Sequence, residues 1–281
     1  MSGGAGERGK QGKGKQRFYI GTQGWNYGGW GGRFYPAGVR AGDRLEQYSR
    51  VFDTVEVDST FYAMPPAGRF ASWYERTPAH FHFTAKLPRD ITHDARLVGA
   101  DELLYEFCDR ASELREKLGP LLVQLPPDMG VRERGAVEAF VRALPRELEF
   151  TVEFRDPAWF DEQTFDLLRE FDVSLAVSVG PWLRTEQALA VAAEAPGAFR
   201  YLRWLGAPRH QEITSSLVAE RDADIAAWAE LILTGEQPRT YAYFNNDYQG
   251  HSPDSARRLQ KLVGVEPADP DRLKVQRELF G

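Results

Sequence analysis

A chain of 281 residues and 31.8 kDa, 42% hydrophobic and 12% aromatic, can hold one large α/β domain or two average ones. A single cysteine, Cys108, excludes an internal disulfide framework and any multi-cysteine metal site. No apolar run reaches the roughly 18–20 residues of a membrane helix, and the N-terminus lacks an apolar signal core. The expected setting is therefore a reducing cytoplasm, with no membrane partner.

Charge is unevenly spread. Residues 1–17 hold Arg8, Lys10, Lys13, Lys15 and Arg17 against Glu7, a net +4 that leaves −10 for the rest of a chain totalling −6. This Gly/Lys/Gln-rich stretch reads as a disordered basic leader. The acidic body disfavours nucleic acid as a partner, because phosphate-backbone binding needs clustered Lys and Arg.

From Phe18 onward, strand-like and helix-like segments alternate without a linker. The strand pattern falls on 18–22, 53–58, 81–86, 120–125, 149–155, 173–177, 199–203 and 240–245. Helical patterns lie near 43–50, 67–76, 100–118, 131–144, 161–171, 220–234 and 254–263, with a weaker one near 185–193. The segment 100–118 shows the helical period in Leu103, Leu104, Phe107, Ala111, Leu114 and Leu118, and Gly119-Pro120 is expected to stop it. Cys108 then reads as a structural thiol on that helix, and Asp161 reads as the N-cap of the helix carrying Phe165, Leu168 and Phe171. Eight strands alternating with eight helices is the count of a (β/α)8 TIM-type barrel, a single domain over 18–281. The runner-up, an open doubly wound sheet, would carry a glycine-rich phosphate loop after its first strand. Gly21-Thr22-Gln23-Gly24-Trp25 is not such a loop.

Six of the strands end in charged or amide residues: Glu56 and Asp58, Lys86, Gln124, Glu153 and Arg155, Arg203, and Asn245 and Asn246. Burying a charge without a partner costs several kcal/mol, so such endings need an explanation. Parallel barrel strands all point one way, and their C-terminal ends converge on one mouth. The loops after the first two strands are long and aromatic, with Trp25, Tyr27, Trp30, Phe34 and Tyr35, then Phe61, Tyr62 and Met64, and are expected to wall that mouth.

Six stretches carry a resemblance to a known family: GTQGWNYGGWGGRFYP (21–36), FDTVEVDSTFYAMP (52–65), FTAKLPRDITH (83–93), KLGPLLVQLPP (117–127), EFRDPAW (153–159) and YFNNDYQGHS (243–252). In this order they resemble the YecE-like family, domain-of-unknown-function family 72. The resemblance implies a TIM-type barrel in a bacterial or archaeal cytoplasmic protein, and it implies no activity. Two positions depart from the family pattern. Leu205-Gly206 stands where the family usually has His-Gly, and Arg155-Asp156-Pro157-Ala158-Trp159 where it usually has Arg-His-x-Ser-Trp. Any mechanism needing those imidazoles is in doubt here.

Alternation along a strand puts Glu56 with Asp58, and Glu153 with Arg155, on one face, with Val55, Val57 and Phe154 turned toward the helices. Glu56 and Glu153 are candidates for an acid/base pair, and Lys86 for a desolvated amine. Arg155 and Arg203 could clamp a phosphate or carboxylate. Trp25, Tyr62 and Trp159 could stack on a base or sugar ring, or simply pack their loops. Asp58, Gln124, Asn245 and Asn246 offer hydroxyl or base-edge recognition, with His93 and His251 following strand ends. His80 and His82 fall at the opposite, stability-related end. His93 and His251 with the three carboxylates could ligate a metal, but no ligand spacing demands one, and neither a metal nor a cofactor is assigned.

Three readings stay open. The first is a hydrolase or lyase acting on a small anionic, ring-bearing metabolite such as a sugar phosphate or nucleotide. The second is a nucleic-acid or nucleotide-binding module without turnover. The third is a ligand-sensing barrel without turnover; under any of them, Glu153–Arg155 or Glu56–Lys86 could instead be internal ion pairs that set the barrel register. The oligomeric state is open.

Overall fold

A computed structural model describes residues 16–206, 217 and 221–271. Its eight strands are β1 (Arg17–Thr22), β2 (Thr54–Val57), β3 (His82–Lys86), β4 (Leu118–Gln124), β5 (Phe150–Glu153), β6 (Ser174–Val179), β7 (Arg200–Trp204) and β8 (Arg239–Phe244). All eight pair in parallel within one sheet ordered β1-β8-β7-β6-β5-β4-β3-β2. The helices are α1 (Arg44–Tyr48), α2 (Arg69–Glu75), α3 (Asp101–Ala111), α4 (Arg134–Ala143), α5 (Glu162–Glu170), α6 (Thr185–Glu194), α7 (Asp222–Thr234), α8 (Asn246–Gln249) and α9 (Ser252–Leu262). This is the expected eight-stranded barrel. The expected leader lies outside the described residues except at its end, where Gln16 donates to Gly235 O and Arg17 already belongs to β1.

β1 and β2 close the ring through a short seam. Gln23 bridges Glu56, and Gly24 N donates to Glu56 O at 2.8 Å. Tyr48 Oη accepts from Thr22 N and donates to Thr54 O, both at 3.0 Å, so one phenol joins the two edges. Gly21 makes this approach possible, because a Cβ there would stand 2.3 Å from Thr54 O.

The strand–helix layer holds the larger core: Val55, Val57, Phe83, Val123, Val152 and Leu202 face helix residues such as Phe70, Phe107, Phe140, Leu168 and Trp228. Inside the barrel a second cluster of Leu122, Ala176, Phe199, Tyr201, Tyr241 and Tyr243 forms a floor. Tyr19 stacks on Tyr241 with centroids 4.8 Å apart and meets His82 edge-on, which puts His82 at the far end from the mouth, as expected.

Two boundaries differ from the sequence reading. The helix expected over 100–118 stops at Ala111 and tightens into a 3-10 turn over Ser112–Lys117, and Gly119-Pro120 sits inside β4. The pairing explains this. Phe83 opposes Leu118 but Ala85 opposes Leu121, so β4 carries an extra residue there, and a bulge tolerates a proline that has no N–H to give. Arg155 lies two residues past the end of β5. Asp161 does cap α5, its side chain accepting from Thr164 N at 2.8 Å.

Candidate active site

Four strand ends build one polar layer above the tyrosine floor. Arg203 of β7, 3% exposed, is its centre. Its Nε donates to Glu56 Oε1 and Oε2 at 3.1 and 2.9 Å, and its Nη2 donates to Glu56 Oε1 at 2.8 Å. The other branch, Nη1, donates to Glu153 Oε2 and, at 3.4 Å, to Gln124 Oε1. Arg155 Nε donates to Glu153 Oε1 at 3.0 Å, and its guanidinium lies 4.0 Å over the Trp182 ring. From below, Tyr201 Oη donates to Glu56 Oε2 at 2.7 Å.

Two buried carboxylates thus meet two guanidiniums, which is the condition for keeping charge in a barrel interior. Burial pushes Glu153 upward, but Arg203 and Arg155 outweigh it and bring its pKa down to about 2. Arg203 is likewise held above its ordinary value: burial opposes its charge, and Glu153 and Glu56 more than compensate. Glu56 and Glu153 do not face each other directly; the guanidinium of Arg203 stands between them.

Lys86 occupies a different environment. Its Nζ lies 3.4 Å over the Phe61 ring centroid. Among the described residues, no carboxylate comes within ion-pair distance of it. Burial, reinforced by the Arg203 and Arg155 charges, brings the amine down to about 7 against the pull of Glu153 and Glu56. His93 packs edge-on to Phe61 at 4.8 Å, with Nδ1 against Thr92 Oγ1 at 2.9 Å. Burial and the Lys86 and Arg155 charges lower His93 to about 4, so it is neutral at pH 7. Asp58, just past β2, is raised by burial and by Glu56, and only partly relieved by Arg203 and Lys86.

The structure therefore gathers Glu56, Asp58, Lys86, His93, Gln124, Glu153, Arg155 and Arg203 at one mouth. Tyr62 stands at the rim, 74% exposed beside Phe61. Trp25 is half-buried against Trp73 in the wall beside Asp58. Asn245 caps α8 and donates from Nδ2 to Gln23 Oε1 at 3.1 Å. Three residues go elsewhere. Trp159 is fully buried behind β5, stacked on Phe154, with Nε1 donating to Met129 O. Asn246 is a packing hub whose Oδ1 accepts from Trp30 Nε1, Ser252 N and Ser252 Oγ. His251 is buried beside Trp30, its Nδ1 3.1 Å from Asp254.

At the two positions where the resemblance led us to expect histidines, Asp156 caps the turn Pro157–Trp159 and Leu205 lies against Gly180. Among the described residues, no group of three or more His, Cys, Asp or Glu is gathered to hold a metal.

Sequence reasoning passed over Tyr201 and Trp182, and it placed Phe61 in the wall of the mouth without foreseeing that its ring covers the Lys86 amine. Tyr201 was detectable in principle, because it lies two residues before Arg203 and so shares its face. Phe61 and Trp182 lie on loops, where no period assigns a direction.

Comparison with known proteins agrees with this architecture. A family model described as "Protein of unknown function DUF72" matches residues 19–278. The UPF0759 protein YecE of Escherichia coli K12 is 37% identical over 153 residues, 53% of each chain. The UPF0759 protein YunF of Bacillus subtilis 168 is 28% identical over 162 residues, 54% of this chain and 56% of its own. These alignments span about half the length of the curated relatives. A crystal structure of a DUF72 family protein from Thermotoga maritima MSB8 superposes with a TM-score of 0.69 at 25% identity, covering 89% of this chain and all of the other. One from Enterococcus faecalis V583 gives 0.70 at 19% identity, covering 89% and 99%. With the family model covering nearly the whole barrel and this architecture shared, the chain belongs to the DUF72 family.

Proposed function

We propose that the barrel mouth is the active site of an enzyme, a lyase or hydrolase, acting on a small anionic, ring-bearing metabolite such as a sugar phosphate or nucleotide. One observation carries this reading: Lys86 is a desolvated amine at a strand C-terminus, brought near neutrality, beside carboxylates that are already paired. An amine near pH 7 can accept a proton from a substrate and return it, which is the requirement for general acid–base work.

The roles divide by environment. Glu153, held ionised by two guanidiniums, is a poor proton donor, and with Glu56 it positions Arg203. Arg155 keeps part of its side chain accessible, 16% exposed against 3% for Arg203, and is the group that would meet the substrate's anion. Asp58, whose carboxyl is raised from its ordinary value by burial and by Glu56, is the carboxyl we place as the complementary acid.

The test is a screen of sugar phosphates and nucleoside monophosphates for turnover by the wild type, Lys86→Met and Arg155→Ala. The reading expects loss of turnover of at least a hundredfold in Lys86→Met, and in Arg155→Ala a rise in KM with little change in kcat. Turnover that survives Lys86→Met, or a complete panel without binding or turnover, would overturn it.

A further inference from the structure

A cavity lies beside Asp58, between the loops that follow β1 and β2. It holds about 460 Å³, within the range of roughly 300–1,000 Å³ of small-molecule sites. Its apolar side is Trp25, Trp73, Leu45 and Met64, and its polar side is Asn26, Asp58, Arg69 and Arg76. Of these, only Trp25, Asp58 and Met64 stand out from the sequence.

Two contacts tie this space to the charged layer. Asp58 lines the cavity, and its carboxyl feels Glu56, Arg203 and Lys86 in the mouth. Thr60 also lines it, and its Oγ1 donates at 2.6 Å to the carbonyl of Lys86 itself. Gly24 lets the chain pack close beside Asp58: its φ of +69° suits glycine, and a Cβ would stand 3.2 Å from both Asp58 Oδ1 and the Tyr27 hydroxyl. The local chain is also braced. Arg76 donates to Glu46 Oε1 at 2.9 Å and to Gly42 O, and Arg44 donates to Asn26 Oδ1 at 2.7 Å.

We infer that this cavity is a sugar-binding subsite, and that the metabolite held at the mouth is a two-ring glycoside whose anionic ring meets Arg155 while its second, neutral sugar ring enters between Trp25 and Asp58. The inference deepens the function proposed above and rests on it. The chemistry favours a sugar over a nucleobase. A carboxyl group exchanges hydrogen bonds with a neighbouring hydroxyl, guanidinium and amide N–H groups donate to hydroxyl oxygens, and the C–H face of a pyranose lies against an indole. Donors and acceptors on both sides of an apolar wall suit a ring that carries hydroxyls all round its edge. A flat base needs polar groups along one edge only.

Affinities measured by calorimetry on the full chain separate the cases, with glucose 6-phosphate, trehalose 6-phosphate, sucrose 6-phosphate, unphosphorylated trehalose and AMP as probes. At least one phosphorylated disaccharide should bind tenfold or more tightly than glucose 6-phosphate. Trp25→Ala should bring that ratio to about one, and Arg69→Ala, an exposed position with little effect on folding, should lower it at least threefold. Equal affinity for one-ring and two-ring phosphates would overturn the subsite while leaving the anion site standing. Binding of trehalose that Trp25→Ala abolishes, with no probe gaining from its phosphate, would support the subsite and sink the anion reading. AMP binding above both disaccharide phosphates and lost in Trp25→Ala would overturn the choice of a sugar.

Discussion

Arg203 grips the carboxylate of Glu56 through two nitrogens, with Nε at 2.9 Å from Oε2 and Nη2 at 2.8 Å from Oε1, while its remaining branch holds Glu153. The bond spans the barrel from β7 to β2. One side chain therefore ties strands that are not neighbours in the sheet and fixes the charge of the layer beneath the mouth.

Removing one member leaves buried charge short of a partner. Arg203→Met should destabilise the fold by about 3–5 kcal/mol, because Glu56 loses its guanidinium while Glu153 keeps only that of Arg155. Adding Glu56→Gln and Glu153→Gln should recover a large part of that loss. Urea unfolding of the single and triple variants checks this, and a triple variant no better than the single would refute the pairing account.

Glu153 makes stability depend on acid. Its carboxyl titrates at about 2 in the fold against 4.5 as an ordinary glutamate. The stabilisation is complete above 4.5 and is lost as the pH falls toward 2, because the unfolded chain takes up the proton first. Glu153→Gln should be less stable at pH 7 and should show a shallower loss of stability between those values. Thermal melts across that window measure both.

Lys86 acts with the opposite chemistry. Its amine sits at about 7 against 10.5 for a free lysine. Between those values the unfolded chain binds a proton that the folded chain lacks, so this group's contribution to stability rises with pH across the window. Lys86→Met should be stabilising below pH 7, with an advantage that shrinks toward pH 10. Pulsed acylation read by mass spectrometry should show Lys86 half-reactive near pH 7, whereas exposed lysines titrate far higher. A Lys86 midpoint near 10 would exclude it as a base.

The seam between β1 and β2 depends on a missing side chain. Gly21→Ala would drive a Cβ to 2.3 Å from Thr54 O and 2.9 Å from the Tyr48 hydroxyl. The neighbours are backbone and a bonded phenol, which cannot swing aside. A loss of at least about 2 kcal/mol is expected, as for an overpacked core site. Unfolding midpoints that match the wild type would show that the seam can part without cost.

Strand count and direction were legible because each strand is a short apolar run that ends in polar residues, and the pleat puts alternate residues on opposite faces. Glu56, Lys86, Gln124, Glu153 and Arg203 follow from that rule alone. The rule weakens where the chain leaves the strand. Trp159 and Asn246 follow strand ends in sequence yet pack away from the mouth, as Phe154 and Trp30 claim them. Gly119-Pro120 looked like a helix stop because the local signal for a stop and for a bulge is the same pair of residues.

The sequence by itself determined the barrel, the end at which charge collects and most residues of the polar layer, since these depend on period and order along the chain. Only the tertiary structure decided the partners. Arg203 rather than Lys86 took Glu56, Lys86 was left over Phe61, and the loops after β1 and β2 came to line a cavity beside Asp58. Those outcomes turn on distances between residues up to 147 positions apart, and an ion pair or a wall forms wherever the folded strands bring the groups within a few ångströms.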